Sequence, residues 1–177
     1  MAVVGGGTMG VGIVYVFAAA GWNVWVVEPD DARAQSMQKT LEETASAGLK
    51  RGKLNEFRVT YITTGVERLH SADELPLGLD LVIETVPERM DIKQVVLAQI
   101  DARLPSIIAS NTSAMSINEL AKCVNEPSNF LGMHFFNPVW SLAMVEIIRG
   151  DDTSESTLSA AKKYSDSIGK TSITVRD

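Results

Sequence analysis

The 177-residue sequence predicts an α/β fold: a mainly parallel sheet with helices flanking both faces. Three observations carry this. Short apolar, β-branched runs alternate with longer helical patterns. One of those runs, Leu79 to Ile83, is apolar save for Asp80, as expected of a strand covered on both faces. No internal repeat, low-complexity segment or linker interrupts the alternation, so residues 1–177 are expected to form one domain.

Composition narrows the class. Apolar residues at 45% and charged residues at 21% suit a chain that buries a core. Lys plus Arg number 16 against 22 Asp plus Glu, and the net charge of −6 argues against a nucleic-acid partner. A single cysteine excludes an internal disulfide and a multi-cysteine metal site, and no bound metal is expected. The longest apolar stretch, Val11 to Trp22, falls short of the ~20 residues that span a bilayer, and no basic leader precedes it. No membrane partner and a cytoplasmic location are therefore expected, with the mitochondrial matrix as the alternative.

The elements follow in order. Ala2 to Val4 is a short strand that runs into glycines, and Thr8 to Ala20 is an apolar, buried helix. Val24 to Val27 is a second strand, closed by Glu28-Pro29-Asp30. Asp30 or Asp31 can cap the helix over Ala32 to Leu49, whose apolar positions are sparse and predict a half-exposed element. Lys50 to Arg58 is the most basic stretch, and Val59 to Thr64 alternates like an edge strand. After Leu79 to Ile83, an amphipathic helix is expected over Glu88 to Leu104, a strand over Ser106 to Ala109 and a short helix over Ser116 to Val124. Phe130 to Phe136, Met144 to Ile148 and Ser172 to Val175 are strand-like, and Thr157 to Ile168 is helical with Gly169 as its stop.

Gly5-Gly6-Gly7-Thr8-Met9-Gly10 contains G-x-G-x-x-G after a strand and at the opening of a helix. Gly5 permits the tight turn, Gly7 leaves room for a pyrophosphate and Gly10 lets helix and sheet pack closely. The free N–H groups of the helix start, with Thr8 and Met9, then face the phosphates. Glu28 ends the next strand, 18 residues past Gly10, where an acid would hold the hydroxyls of an adenosine ribose; the alternative is a solvated turn glutamate. Its charge would repel a 2′-phosphate, which favours NAD over NADP, although Arg33 stands a helical turn away. The chain thus predicts a Rossmann-like, doubly wound sheet that binds NAD.

Ser110-Asn111-Thr112-Ser113, His134-Phe135-Phe136-Asn137-Pro138, Glu84-Thr85-Val86-Pro87-Glu88 and Val145-Glu146 together resemble the 3-hydroxyacyl-CoA dehydrogenase family across nearly the whole chain. The residues also make chemical sense on their own. Oxidising a secondary alcohol needs a base near neutral pH, and His134, one of two histidines, follows an apolar strand. Glu146 lies in the otherwise apolar run Met144 to Ile148 and needs a partner. A His–Glu pair would fix the ring tautomer and stabilise the imidazolium. The alternative for His134 is a satisfied core histidine; His70, in a polar stretch, is expected to be exposed.

The resemblance implies further roles. Ser113 matches a serine that bonds the substrate oxygen near the nicotinamide, although Ser113 or Ser116 could instead cap the helix before Glu119. Glu88, Lys93 and Asn137 match cofactor-contacting positions; for the first two the alternative is a first-turn acid and a solvated lysine. Thr44 and the Lys50-Arg51 pair fall where the family contacts acyl-CoA, with a solvated charged face as the alternative. The implied activity is reversible oxidation of an (S)-3-hydroxyacyl-CoA, short-chain such as 3-hydroxybutyryl-CoA. The competing readings are a catalytically weak NAD-binding module, and a related hydroxyacid or phosphosugar dehydrogenase of the kind that typically uses a lysine base.

The sequence departs from the family pattern twice. After Val139 the family usually has proline and then lysine, whereas this chain has Trp140-Ser141-Leu142-Ala143, a change expected at the mouth of the acyl pocket. Family members also continue into an asparagine-bearing segment and an all-helical domain that forms a homodimer. Neither is expected within these 177 residues.

Overall fold

The computed structural model describes residues 1–177 and has eight strands in one sheet. The strands are β1 (Ala2–Val4), β2 (Trp25–Val27), β3 (Glu67–Leu69), β4 (Val82–Glu84), β5 (Ile108–Ser110), β6 (Phe130–Phe135), β7 (Met144–Arg149) and β8 (Thr171–Arg176). Their spatial order is β3-β2-β1-β4-β5-β6-β7-β8. Every neighbouring pair is parallel except β6 and β7, which run antiparallel. The helices are α1 (Thr8–Ala20), α2 (Asp31–Lys50), α3 (Glu56–Thr64), α4 (Met90–Asp101), α5 (Ile117–Ala121) and α6 (Glu155–Ser167). No helix is long and apolar enough to cross a membrane.

The period of two in the strands divides the core between the two faces. Val3 and Val26 join a cluster with Ile13 and Phe17 of α1, Leu41 of α2, Ile62 of α3 and Leu158 of α6. Ala2, Val4 and Val27 turn the other way, toward Leu97 and Ile100 of α4 and Leu120 of α5. The central strands are buried on both faces, which is why they read as mostly apolar runs.

One element differs in kind from the expectation. Val59 to Thr64 is not an edge strand but part of α3. The Asn55 side chain caps that helix by accepting from the Arg58 amide, and Thr60, Thr63 and Thr64 return their hydroxyls to carbonyls one turn back. Val59 and Tyr61 do pack on the core, so the alternation was real burial seen with the wrong period. The true edge strand is β3, three residues long and mostly polar, with too little pattern to announce itself. Smaller differences have local causes. Val24 stays outside β2 because its amide donates to the Tyr61 hydroxyl. The helix α4 begins at Met90, not Glu88, because Glu88 is bound elsewhere. Cys123 falls in the turn after α5. Asp30 and Ser154 cap α2 and α6, so α6 starts at Glu155, two residues before Thr157.

Candidate functional site

Two adjoining cavities open at the carboxyl ends of the central strands, around the crevice between β1 and β4 where connections leave in opposite directions. The first, ≈ 570 Å³, is lined by Gly5, Gly7, Thr8, Met9, Glu28 and Thr85, among others. The second, ≈ 390 Å³, is lined by Glu88, Asn111, Ser113, His134 and Asn137. Met9, Thr85, Val86 and Pro87 line both, so the two are continuous.

The glycine turn behaves as its spacing predicts. Gly5 has φ +113, and a Cβ on Gly10 would lie 1.8 Å from the Gly5 carbonyl oxygen. A Cβ on Gly7 would meet nothing within 4 Å, so this residue leaves open space beside the helix start. Thr85 closes the turn from the neighbouring strand: its hydroxyl lies 2.9 Å from the Gly5 oxygen and 3.1 Å from that of Val4. Thr85 stands in the Glu84–Glu88 motif, but nothing in the sequence assigned it this role, because the contact spans 80 residues.

Glu28 is not a solvated turn glutamate. It is 3% exposed, and its carboxylate accepts from the Gly6 amide at 3.0 Å and the Asp30 amide at 2.9 Å. Arg33 lies 3.3 Å from the same carboxylate, so its charge is turned onto Glu28. The buried acid therefore sits against the turn that would hold a pyrophosphate, with oxygen lone pairs left for ribose hydroxyls. These residues fit NAD. His70 is exposed, as expected, and lines the same cavity.

In the second cavity β6 and β7 pair so that His134 stands opposite Glu146. Nδ1 of His134 lies 2.8 Å from Oε2 of Glu146, and both side chains are partly exposed. In a neutral imidazole facing an ionised carboxylate, which only accepts, Nδ1 carries the proton and Nε2 keeps a free lone pair. Phe136 packs against the imidazole at 4.6 Å between centroids. Asn111, from the loop after β5, accepts from the Phe135 amide at 2.8 Å and so ties β5 to the histidine strand.

Glu88 organises the serine. It accepts from the Ser113 amide at 2.7 Å, from the Thr112 hydroxyl at 2.9 Å and from the Ser113 hydroxyl at 3.3 Å. Burial pushes its carboxyl up, but the bonds from Ser113 and Thr112, with the charge of Lys93, outweigh that and hold it below the usual range. Ser113 is therefore not a helix cap. Ser116 caps α5 by accepting from the Glu119 amide.

Lys93 departs from its expected place. It is 1% exposed, lines neither cavity, and is not the solvated lysine of the alternative reading. Its ammonium donates to both oxygens of Glu84 at 2.8 and 2.9 Å and lies 3.5 Å from Glu88. It thus forms part of the floor rather than a wall that a ligand would touch. Glu84, fully buried, also accepts from the Ser110 hydroxyl at 2.6 Å. Sequence reasoning quoted this acid in a motif but gave it no role, although a carboxylate at the end of an apolar strand needs a partner just as Glu146 does.

A third depression, ≈ 230 Å³, lies beside Thr44, Arg51, Lys53, Tyr15 and Trp140. Arg51 and Thr44 line this depression together. Lys50 is exposed on the end of α2 and lines no part of this depression; Lys53 supplies the second cation.

Residues 1–177 match the model of the family described as 3-hydroxyacyl-CoA dehydrogenase, NAD binding domain. A fatty acid oxidation complex subunit alpha from Pseudomonas savastanoi is 37% identical over 181 residues, covering 99% of this chain and 24% of its own length. This chain therefore spans about a quarter of the length of the curated relatives it matches. The (S)-3-hydroxybutyryl-CoA dehydrogenase of Ralstonia eutropha superimposes with a TM-score of 0.92 at 40% identity, over 99% of this chain and 62% of that one. A 3-hydroxybutyryl-CoA dehydrogenase of Escherichia coli gives 0.92 at 28% identity, over 99% and 37%.

Proposed function

Because the chain belongs to the 3-hydroxyacyl-CoA dehydrogenase family, as its NAD-binding domain, we propose that it takes part in the reversible oxidation of short-chain (S)-3-hydroxyacyl-CoA, such as 3-hydroxybutyryl-CoA, to 3-ketoacyl-CoA. The observation that carries the reading is the 2.8 Å His134–Glu146 pair in a cavity shared with Ser113 and Asn137 and continuous with the glycine turn.

The glycine turn and Glu28 bind and orient NAD, with Met9, Glu88 and Asn137 lining the passage to the second cavity. When bound, NAD supplies the hydride acceptor. Ser113 holds the substrate's 3-hydroxyl beside His134, and Nε2 of His134 takes its proton. Glu146 holds the imidazole in one tautomer and stabilises the imidazolium. In the reverse direction His134 returns the proton to the ketone oxygen. Glu28 disfavours a 2′-phosphate because its charge is buried and Arg33 is already engaged with it. Arg51 and Lys53, beside Thr44, receive the phosphates of coenzyme A. We extend the proposal to a cytoplasmic setting and to assembly as a homodimer.

The test is NADH oxidation by this chain with acetoacetyl-CoA, followed by absorbance. Turnover is expected. NADH binding without turnover would restrict these 177 residues to a cofactor-binding module.

A further inference from the structure

Lys170 is 6% exposed and has no carboxylate partner. An ammonium in such a place must be fully engaged by other acceptors. Its Nζ donates to the carbonyls of Val139 and Leu142, each at 2.6 Å. These carbonyls belong to the connection between β6 and β7, where the Ser141 and Leu142 amides both donate to the Pro138 carbonyl. The lysine therefore closes the carbonyl end of a single helical turn, the end where a cation is favoured.

That connection has a demanding task. It runs from Phe136 to Ala143, between the strands that carry His134 and Glu146. A two-residue hairpin dictates strand register through its turn geometry, whereas a connection of this length does not. The buried pairs Met133–Ile147 and Phe135–Val145 favour the register that places His134 opposite Glu146, and contacts from outside the loop reinforce it. Two are present. Val139 is buried against Gly12 of α1, where a Cβ on that glycine would come within 2.7 Å of the valine. Lys170 holds the same residue's carbonyl from the opposite end of the chain. Gly169, with φ +70, reverses the chain after α6, and the Thr171 amide beside Lys170 donates to Ala143 at 2.7 Å.

We propose that Lys170 is a positioning residue for the reaction: it clamps the 137–142 turn and thereby sets Asn137 and the His134–Glu146 register. Its link to turnover rests on the proposed roles of those three residues; the clamp itself does not.

Amide hydrogen exchange on the full chain tests the clamp without any assay of activity. In Lys170→Met the Ser141 and Leu142 amides should exchange at least tenfold faster, while the Val11 amide at the glycine turn changes less than twofold. Lys170→Arg, which keeps charge and donors, should restore most of the protection. Acetoacetyl-CoA turnover by Lys170→Met should fall at least tenfold in kcat, with KM for NADH within twofold. Unchanged exchange at 141–142, equal acceleration at both places, no rescue by arginine, or an unaltered kcat would each overturn the proposal. Should Lys170→Met not fold, Lys170→Gln carries the same test with a shorter donor. Turnover that survives in His134→Ala would instead overturn the proposed function and leave the exchange result standing.

Discussion

The glycine turn with Glu28 and the His134–Glu146 pair stand at the same end of one sheet, yet they are held differently. The first is built from parallel strands buried on both faces, and its acid is 3% exposed and fixed by two backbone amides. Its shape is backbone shape, and few side chains can disturb it. The second lies across the one antiparallel pair in the sheet, with both partners partly exposed. Its geometry depends on register, on Asn111 from β5 and on Lys170 near the far end of the chain. Binding can rest on a rigid, local frame, whereas proton transfer needs side chains delivered from distant segments to within hydrogen-bond reach.

The sharpest test of that contrast is His134→Ala. It should lower kcat by on the order of 10²–10⁴-fold, as expected for loss of a general base, and leave NADH affinity within about twofold. Equal loss of both would show that the two regions are not separable. Glu84→Ala attacks the floor they share. It leaves Lys93 buried with only the Val86 carbonyl and the partly exposed Glu88 as partners, and should cost about 3–5 kcal/mol in urea unfolding. Glu84→Ala with Lys93→Met should recover most of that loss, and a double variant no more stable than the single would refute the pairing.

Glu28→Ala confines its effect to the first region. NADH affinity should fall about tenfold, the worth of a single charge-assisted hydrogen bond, while NADPH affinity rises as Arg33 is released. An unchanged ratio of the two affinities would remove Glu28 from cofactor selection. The smallest effect concerns Glu88. Its folded-state pKa is depressed, so its contribution is present above the ordinary carboxylate range, ~4.3, and is lost as pH falls through the lower folded value. The urea midpoint of wild type should therefore drop more than that of Glu88→Gln between pH 5 and 3. Parallel curves would show that the bonds to Thr112 and Ser113 contribute nothing to stability.

Legibility divides along the same line. The glycine turn, α1 and Glu28 could be read because each works within a short span, and backbone rules tie residue type to local shape. His134 and Glu146 could be read because a lone carboxylate in an apolar run demands a partner, and their partnership holds at 2.8 Å. The reading failed where a short pattern suited two periods, as in Val59 to Thr64, and where a long charged side chain was assigned by position alone. Lys93 turned inward to Glu84, and Lys50 stayed on the surface while Lys53 lined the depression.

Composition and spacing alone thus pointed to the α/β class, the glycine turn with an acid after it and the pairing of His134 with Glu146, because period, glycine placement and buried charge are local constraints. Packing decided everything that joins distant residues: Thr85 on the glycine turn, Glu84 with Lys93 beneath Glu88, Asn111 on the histidine strand and Lys170 on the loop between the paired strands. A hydrogen bond across 80 residues leaves no periodicity behind. It exists only once the sheet has brought its two ends together.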